Sequence, residues 1–342
     1  MKVRTSIQDV ARLAGVAVGT VSNVLNQPEK VRPQTIEKVN KAIIQLGFIR
    51  NDAARLLKAG TSRSIGLVVL DSSNPFFGQL TRGAEDAADE NGYALISSSS
   101  SNDEVREKRY INLFEEQRMA GVLVSPAGNA TGLVSELKTK GFKTVLVDRM
   151  EDPELCCSVG LDDVAGGRIA VEHLLGLGRK RIAFVSGPSK IRQVSDRLSG
   201  AREAVAQSPS SVLEVFEGEA QTVLTGRNLG EQILSLPKKD RPDAIFAAND
   251  LLAVGVLQAF VFGNQVSVPE EIAIIGYDDI DFASAAVVPL SSVRQNANLI
   301  GSSAVELLLD EIKEGEQHIH RQISFKPELV IRASTTGNQI RT

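Results

Sequence analysis

At four places in this 342-residue chain, acidic, amide or guanidinium side chains follow directly on a run of apolar residues. Asp71 and Asn74 follow IGLVVL, and Asp148 and Arg149 follow TVLV. Asn249 and Asp250 follow AIFAA, and Asp278 and Asp279 follow IAIIGY. Such side chains pair well with vicinal hydroxyls. Phe76 and Phe77 would supply an apolar face beside them. Taken singly, each polar residue reads as a loop cap. Their recurrence at strand ends points to one shared ligand site, because open parallel sheets bind ligands beyond the carboxyl ends of their strands. The competing readings are a cytoplasmic sugar-binding module and an α/β enzyme that uses the same aspartates as acids or bases, each without a DNA role. The chain lacks the companion motifs: no G-x-G-x-x-G follows the first apolar run, and neither G-x-x-x-x-G-K-[ST] nor G-x-S-x-G occurs. A non-enzymatic binding role without a cofactor is expected.

A second set lies between Ser6 and Leu25. Ile7, Val10, Ala11 and Ala14 recur at helical spacing. Ser6 and Asp9 fit a capping box that starts a helix near Ile7. Gly15 ends that helix, because glycine enters a left-handed turn cheaply. A second helix then starts near Ala17 or Val18, with Val21, Val24 and Leu25 inward and Val18, Gly19 and Asn23 outward. Two short helices joined this way form a helix-turn-helix, whose second helix enters the DNA major groove; a plain helical hairpin is the alternative. The charge distribution favours DNA. Residues 1–62 hold ten Lys and Arg against four Asp and Glu, a net of +6, which leaves −10 for the remainder of a chain whose total is −4. A basic head on an acidic body localises phosphate contact to the head.

The remaining reactive side chains suggest little. Cys156 and Cys157 are adjacent and read as buried thiols. His173, His318 and His320 lie too far from them in sequence to show zinc spacing, and His318 and His320 alternate like solvated strand positions. No run of eighteen apolar residues would span a membrane. MKVRTSIQDV lacks the apolar stretch of a signal peptide, so a cytoplasmic protein is expected.

The elements that must position these groups follow. Pro33 opens a third helix with Ile36, Val39, Ile43 and Leu46 inward, and Gly47 stops it. Asn51–Lys58 forms a helix too short to stand alone in water. From Ile65, apolar strands alternate with amphipathic helices: strands near 65–70, 94–98, 121–125, 144–148, 181–186, 213–217, 244–247 and 272–277, and helices between them. This predicts an α/β fold of doubly wound parallel sheets. About 280 residues exceed one core, so two sheets are expected, with a break near 158–163.

The combination resembles the lac repressor family of bacterial transcription regulators. The resemblance rests on IQDVARLAGVAVGTVSNVLN (7–26), VRPQTIEKVNKAIIQLGF (31–48), NDAARLLK (51–58), SIGLVVLDSSNPFF (64–77), AFVSGP with DRLSG (183–188, 196–200), IFAANDLLAVG (245–255), IAIIGYDDI (272–280) and LVIRAST (329–335). It implies a helix-turn-helix domain over 1–49, a hinge helix and linker over 50–61, and a periplasmic-binding-protein-like core over 62–340. The core's N-subdomain would be 62–161 plus 290–325, and its C-subdomain 162–289 plus 326–340, with chain crossings near Leu161, Pro289 and Phe325. The implied DNA contacts are Ser6, Ala17, Val18, Gly19, Thr20, Ser22, Asn23 and Asn26 in the head, and Asn51, Ala54, Leu57 and Lys58 in the hinge. Asn23 stands where relatives commonly carry Arg, Ala17 where they carry Ser, and Arg50 where they carry Pro. The implied effector residues are Asp71, Asn74, Phe76, Phe77, Asp148, Arg149, Arg197, Asn249 and Asp278, with the Arg197 fork clamping a hydroxyl pair or a carboxylate. The expectation is a repressor that binds a near-palindromic operator in double-stranded DNA and answers to a sugar or nucleoside. No leucine heptad follows LVIRAST, so a homodimer is expected. Removing Leu57 should weaken operator binding alone, and Arg197→Ala should abolish the effector response while preserving the fold.

Overall fold

The computed structural model describes residues 5–48, 62–262 and 266–337, without the side chain of Asn26. Arg50 and the hinge positions Asn51, Ala54, Leu57 and Lys58 lie outside the described residues. The chain divides into two compact units, Met1–Ser62 and Arg63–Thr342.

In the first unit, α1 (Ile7–Ala14), α2 (Val18–Asn26) and α3 (Pro33–Leu46) enclose a small core of Val10, Ala11, Val21, Val24, Val39 and Ala42. Ser6 and Asp9 make the expected capping box. Gly15 and Gly47 end α1 and α3 at φ of 66° and 56°, a region glycine enters without a Cβ penalty. The backbone N–H of Phe48 returns to Ile43 O at 3.0 Å, closing the last turn of α3.

The second unit is built on two six-stranded sheets. The first contains β1 (Ser64–Val69), β2 (Ala94–Ser99), β3 (Gly121–Val124), β4 (Lys143–Val147), β5 (Cys157–Leu161) and β11 (Gln322–Phe325), in the order β11-β5-β4-β3-β1-β2. All its pairings are parallel. The second contains β6 (Arg181–Ser186), β7 (Val212–Glu217), β8 (Ala244–Ala247), β9 (Ala273–Asp278), β10 (Ser291–Arg294) and β12 (Glu328–Val330), in the order β12-β10-β9-β8-β6-β7. Only β10–β12 is antiparallel. The helices over the first sheet are α4 (Pro75–Glu90), α5 (Glu104–Glu116), α6 (Ala130–Thr139) and α12 (Ala297–Glu314). Those of the second are α7 (Asp163–Gly176), α8 (Arg192–Ala206), α9 (Val223–Ser235) and α10 (Asp250–Val261), with a short α11 (Asp281–Ala285) after β9. Buried apolar side chains fill β1, β3, β4, β8 and β9 on both faces, as parallel strands between helices require.

The chain passes between the sheets after Leu161, after Arg294 and after Phe325. The second passage corrects the expected position near Pro289. Ser291–Arg294 pairs with Ile275–Asp278 in the second sheet, so that ladder is completed before the chain leaves. No described helix is long and apolar enough to cross a membrane.

Candidate functional site

The outward face of α2 presents Val18, Gly19 and Asn23 to solvent, with Ala17 exposed just before the helix; Thr20 and Ser22 are half-buried at its edge. Val21 and Val24 hold the opposite face in the core. Nothing lies within 4 Å of a Cβ built at Gly19, so that face is open enough for close approach to a groove. Ser6 is engaged as the cap of α1. Its hydroxyl donates to Asp9 Oδ2 at 2.6 Å and accepts from Asp9 N at 3.3 Å. The capping box thus takes the one proton it could give to a phosphate.

In the second unit, eight of the nine expected ligand residues border one cavity of about 280 Å³: Asp71, Asn74, Phe76, Phe77, Asp148, Arg197, Asn249 and Asp278. Strand ends and helix starts place them. Asp148 follows β4 and Asp278 ends β9, both with left-handed backbones (φ 55° and 99°). For non-glycine residues such conformations cost about 1–3 kcal/mol and cluster at functional sites. Asn74 caps α4 by accepting from Phe76 N at 3.0 Å, and Asn249 caps α10 by accepting from Leu252 N at 2.9 Å. The cap reading of these two is therefore correct, and they border the cavity as well. The Phe76 and Phe77 rings meet edge to face, their centroids 5.0 Å apart.

Arg149 is not brought to the cavity. Its Nε and Nη2 donate to Glu151 Oε1 at 3.0 and 2.8 Å, which draws it to a neighbouring depression beside Asp162 and Arg192.

Arg197 lies at the centre, 4% exposed. Its Nε donates to Asp163 Oδ1 at 2.8 Å and its Nη1 to Ala248 O at 2.6 Å. Asp278 Oδ1 is 3.7 Å from Nη1, and the Tyr277 ring centroid lies 3.6 Å from Cζ. The Nη2 edge is taken by no described protein partner. Burial opposes the Arg197 charge, but the acidic groups around it, Asp163 first, hold its pKa above the ordinary value. One guanidinium cannot neutralise three buried carboxylates. Burial pushes Asp148 well above the usual carboxylate range, the Asp163 charge adds to this and Arg197 opposes it. Asp163 and Asp278 are raised by burial and drawn back by Arg197.

Two contacts tie the walls together. Asn74 Nδ2 donates to Asp278 Oδ2 at 3.1 Å, linking first-sheet and second-sheet elements. Gln193 Nε2, on α8, donates to Asp148 O at 2.7 Å and to Asp148 Oδ2 at 2.9 Å. Gln295, in the second passage between sheets, gives its Nε2 to Asp278 Oδ1 at 2.8 Å. Three buried acceptors on cavity-lining residues have no partner among the described residues: Asp148 Oδ1, Gln221 Oε1 and Gln295 Oε1. Sequence reading missed Asp163, Gln193, Gln221 and Gln295. The glutamines carry no strand-end signal, and Asp163 is identified only by the arginine it faces.

The two histidines expected at solvated strand positions are elsewhere. The His318 side chain is 1% exposed, and both histidines precede β11 and approach Cys157.

A helix-turn-helix head on a two-sheet core, with a polar cleft at the strand ends, defines a DNA-binding regulator with a small-molecule site. Residues 6–51 match the "Bacterial regulatory proteins, lacI family" pattern, and residues 171–335 match the "Periplasmic binding protein-like domain". The chain is 33% identical over 334 residues to the HTH-type transcriptional repressor PurR of Photobacterium profundum, covering 96% of this chain and 98% of that one. Its fold is similar to the lac repressor dimer bound to operator and the anti-inducer ONPF (TM-score 0.84, 25% identity, 97% and 99% covered). It is also similar to the transcriptional regulator CelR in complex with cellobiose (TM-score 0.71, 30% identity, 97% and 100% covered). The chain belongs to the lacI family of bacterial regulatory proteins. It is a DNA-binding transcriptional repressor with an effector-binding core, not an enzyme.

Proposed function

We propose that this repressor answers to a small, neutral, hydroxyl-rich effector, a single sugar ring or a nucleoside, held in the cavity around Arg197. The observation that carries this is the convergence of three unsatisfied acceptors, Asp148 Oδ1, Gln221 Oε1 and Gln295 Oε1, on one cavity. A buried polar atom left unpaired costs roughly 1–3 kcal/mol, so the favoured ligand brings hydrogen-bonding groups to all three, and hydroxyls can donate or accept as each requires. The free Nη2 edge of Arg197 takes a ligand oxygen, and the Phe76–Phe77 pair takes a carbon face. The volume is at the low end of the roughly 300–1,000 Å³ found for ligand pockets, which favours one ring over two. The CelR relative's complex with cellobiose agrees in chemical class.

On the DNA side, the chain acts in the cytoplasm as a homodimer. Its two heads read a near-palindromic operator on the nucleoid, with half-sites spaced by the dimer's symmetry. Val18, Gly19 and Asn23 meet base edges, Thr20 and Ser22 meet phosphates, and Ala17 and Asn26 flank them. Asn51, Ala54, Leu57 and Lys58 contact the minor groove at the operator centre, where a leucine wedge unstacks a base step. Asn23 is suited to adenine, so Asn23→Arg moves preference at one position toward guanine by about 1–3 kcal/mol, readable by selection from randomised operators.

The deciding experiment is a thermal-shift screen of pentoses, hexoses and nucleosides, followed by operator titration with and without each hit. A hit that raises the midpoint and changes operator affinity supports the reading, and the sign of the change separates inducer from corepressor. Hits confined to carboxylate or phosphate ligands reject the neutral polyol. Equal operator affinities with and without the hit reject the coupling, and absence of salt-sensitive DNA retention rejects the DNA role.

A further inference from the structure

The chain has two cysteines and three histidines. Three of these five groups meet at the start of β5, the opposite end of a parallel sheet from the cavity. Cys157 Sγ lies 3.1 Å from His318 Nε2 and 3.8 Å from His320 Nδ1, and the three ligating atoms fall within 4.8 Å of one another. The two imidazoles meet edge to face at 5.4 Å. Glu314 Oε2 lies 2.7 Å from His318 Nδ1. A proton held on Nδ1 by that carboxylate leaves the Nε2 lone pair directed at the sulfur, the carboxylate–histidine arrangement that orients metal ligands. Burial raises the Cys157 thiol above its ordinary value, and the backbone N–H of Arg321, which donates to Sγ at 3.3 Å, opposes that rise. On the same helix, one turn before Glu314, Glu311 is buried with Oε2 unsatisfied, and its charge adds to the rise that burial imposes on Cys157.

We propose that Cys157, His318 and His320 bind a thiophilic transition-metal ion of the Zn²⁺ class, with Glu314 orienting His318. One thiolate and two imidazoles are three of the four tetrahedral ligands such an ion takes. The fourth position falls to water. Lys138 and Lys143 oppose an added cation, and Glu311 and Glu314 offset them. Carboxylates alone do not make this site: the donor set is soft, and soft donors select Zn²⁺ over Mg²⁺ or Ca²⁺. The ion ties Cys157, the first residue of β5, to the segment that leads into β11. That strand runs directly into the third passage between sheets, so occupancy fastens the edge of the first sheet to a crossover.

The test uses the full chain, stripped of metal with a chelator. Calorimetric titration with Zn²⁺ is expected to give one ion per chain, and Co²⁺ is expected to give a thiolate-to-cobalt charge-transfer band with tetrahedral d–d absorption. Cys157→Ala should abolish both. His320→Asn should weaken binding at least about 10-fold, and Glu314→Gln, which touches no ion, about 10–100-fold. Cys156→Ala should change neither, because Cys156 packs with Val122, Leu146 and Phe114 in a separate apolar cluster. Should Cys157→Ala fail to fold, His320→Asn carries the test. The proposal is overturned if the wild-type chain binds no ion, if Co²⁺ binds without the charge-transfer band, or if neither Cys157→Ala nor His320→Asn weakens binding.

Discussion

Arg197 serves the ligand and the fold with the same guanidinium. It pairs with buried Asp163 at 2.8 Å, bonds Ala248 O and stacks on Tyr277, so only its Nη2 edge is left for an effector. The expectation that Arg197→Ala preserves the fold therefore comes with a cost in stability. Removal strands the Asp163 carboxylate, and breaking one side of a buried pair costs about 3–5 kcal/mol. Urea unfolding should show a loss of that size, and a loss below about 1 kcal/mol would mean that Asp163 finds water or another partner. Asp250 offers a cleaner residue-scale measurement. It is fully buried, accepts from Ser292 Oγ at 2.7 Å and from Ile280 N at 2.9 Å, and is pushed well above the usual carboxylate range by burial, with Asp278 adding to the shift. Because its folded pKa is raised, the native state holds a proton that the unfolded chain releases. The stability this proton confers is fully present below the unfolded carboxylate value, near 3.9, and is lost as pH rises through the folded value. Asn is the same shape as the protonated acid. Asp250→Asn should therefore match wild type in acid and gain on it steadily as pH rises; parallel stability curves would mean Asp250 does not hold its proton.

At the scale of elements, helix pairs over the sheets touch backbone to backbone through glycines. A Cβ added at Gly200 in α8 would overlap the Val164 carbonyl of α7, and one at Gly167 in α7 would overlap the Arg197 carbonyl of α8. That close crossing sets Asp163 on α7 against Arg197 on α8. Gly200→Ala should cost about 1–3 kcal/mol by overpacking and also weaken effector binding, because it separates the pair that positions the fork. Calorimetry beside chemical unfolding checks both, and lost stability with unchanged affinity would uncouple the crossing from the site. The elements readable in the sequence were those with internal signals. The helix-turn-helix was legible from Ser6–Asp9, Gly15 and helical spacing, and β1, β4, β8 and β9 from unbroken apolar runs. What was illegible needed a partner. CSVGL, SSVR, QISF and ELV are only three to five residues long, and are strands only because a ladder accepts them. The second passage was misplaced by the same cause: nothing in SSVR says which sheet it joins. Cys157 and His318 are 161 residues apart and meet only through the β5–β11 pairing.

At the scale of the whole chain, an effector can alter operator affinity only by binding two states of the core differently. The contacts that distinguish such states are those crossing between elements of the two sheets: Asn74 with Asp278, and Gln193 with Asp148. The second contact is the better one to cut. Asn74 also caps α4, whereas among the described residues the Gln193 amide bonds only to Asp148. Its loss leaves the Asp148 backbone carbonyl and Oδ2 without their donor, beside an Oδ1 that already lacks one. A ligand hydroxyl then competes with nothing for Asp148 but gains no closed wall. Gln193→Leu should keep apo operator affinity within about 3-fold of wild type, because the head is untouched. The factor by which effector changes that affinity should fall from the roughly 5–150-fold typical of such coupling to below about 5-fold, and the factor by which operator changes effector affinity must fall equally. The measurement is four equilibrium constants for each chain: effector with and without operator, and operator with and without effector. Wild-type coupling retained in Gln193→Leu would remove this contact from the transmission and leave Asn74–Asp278 to carry it.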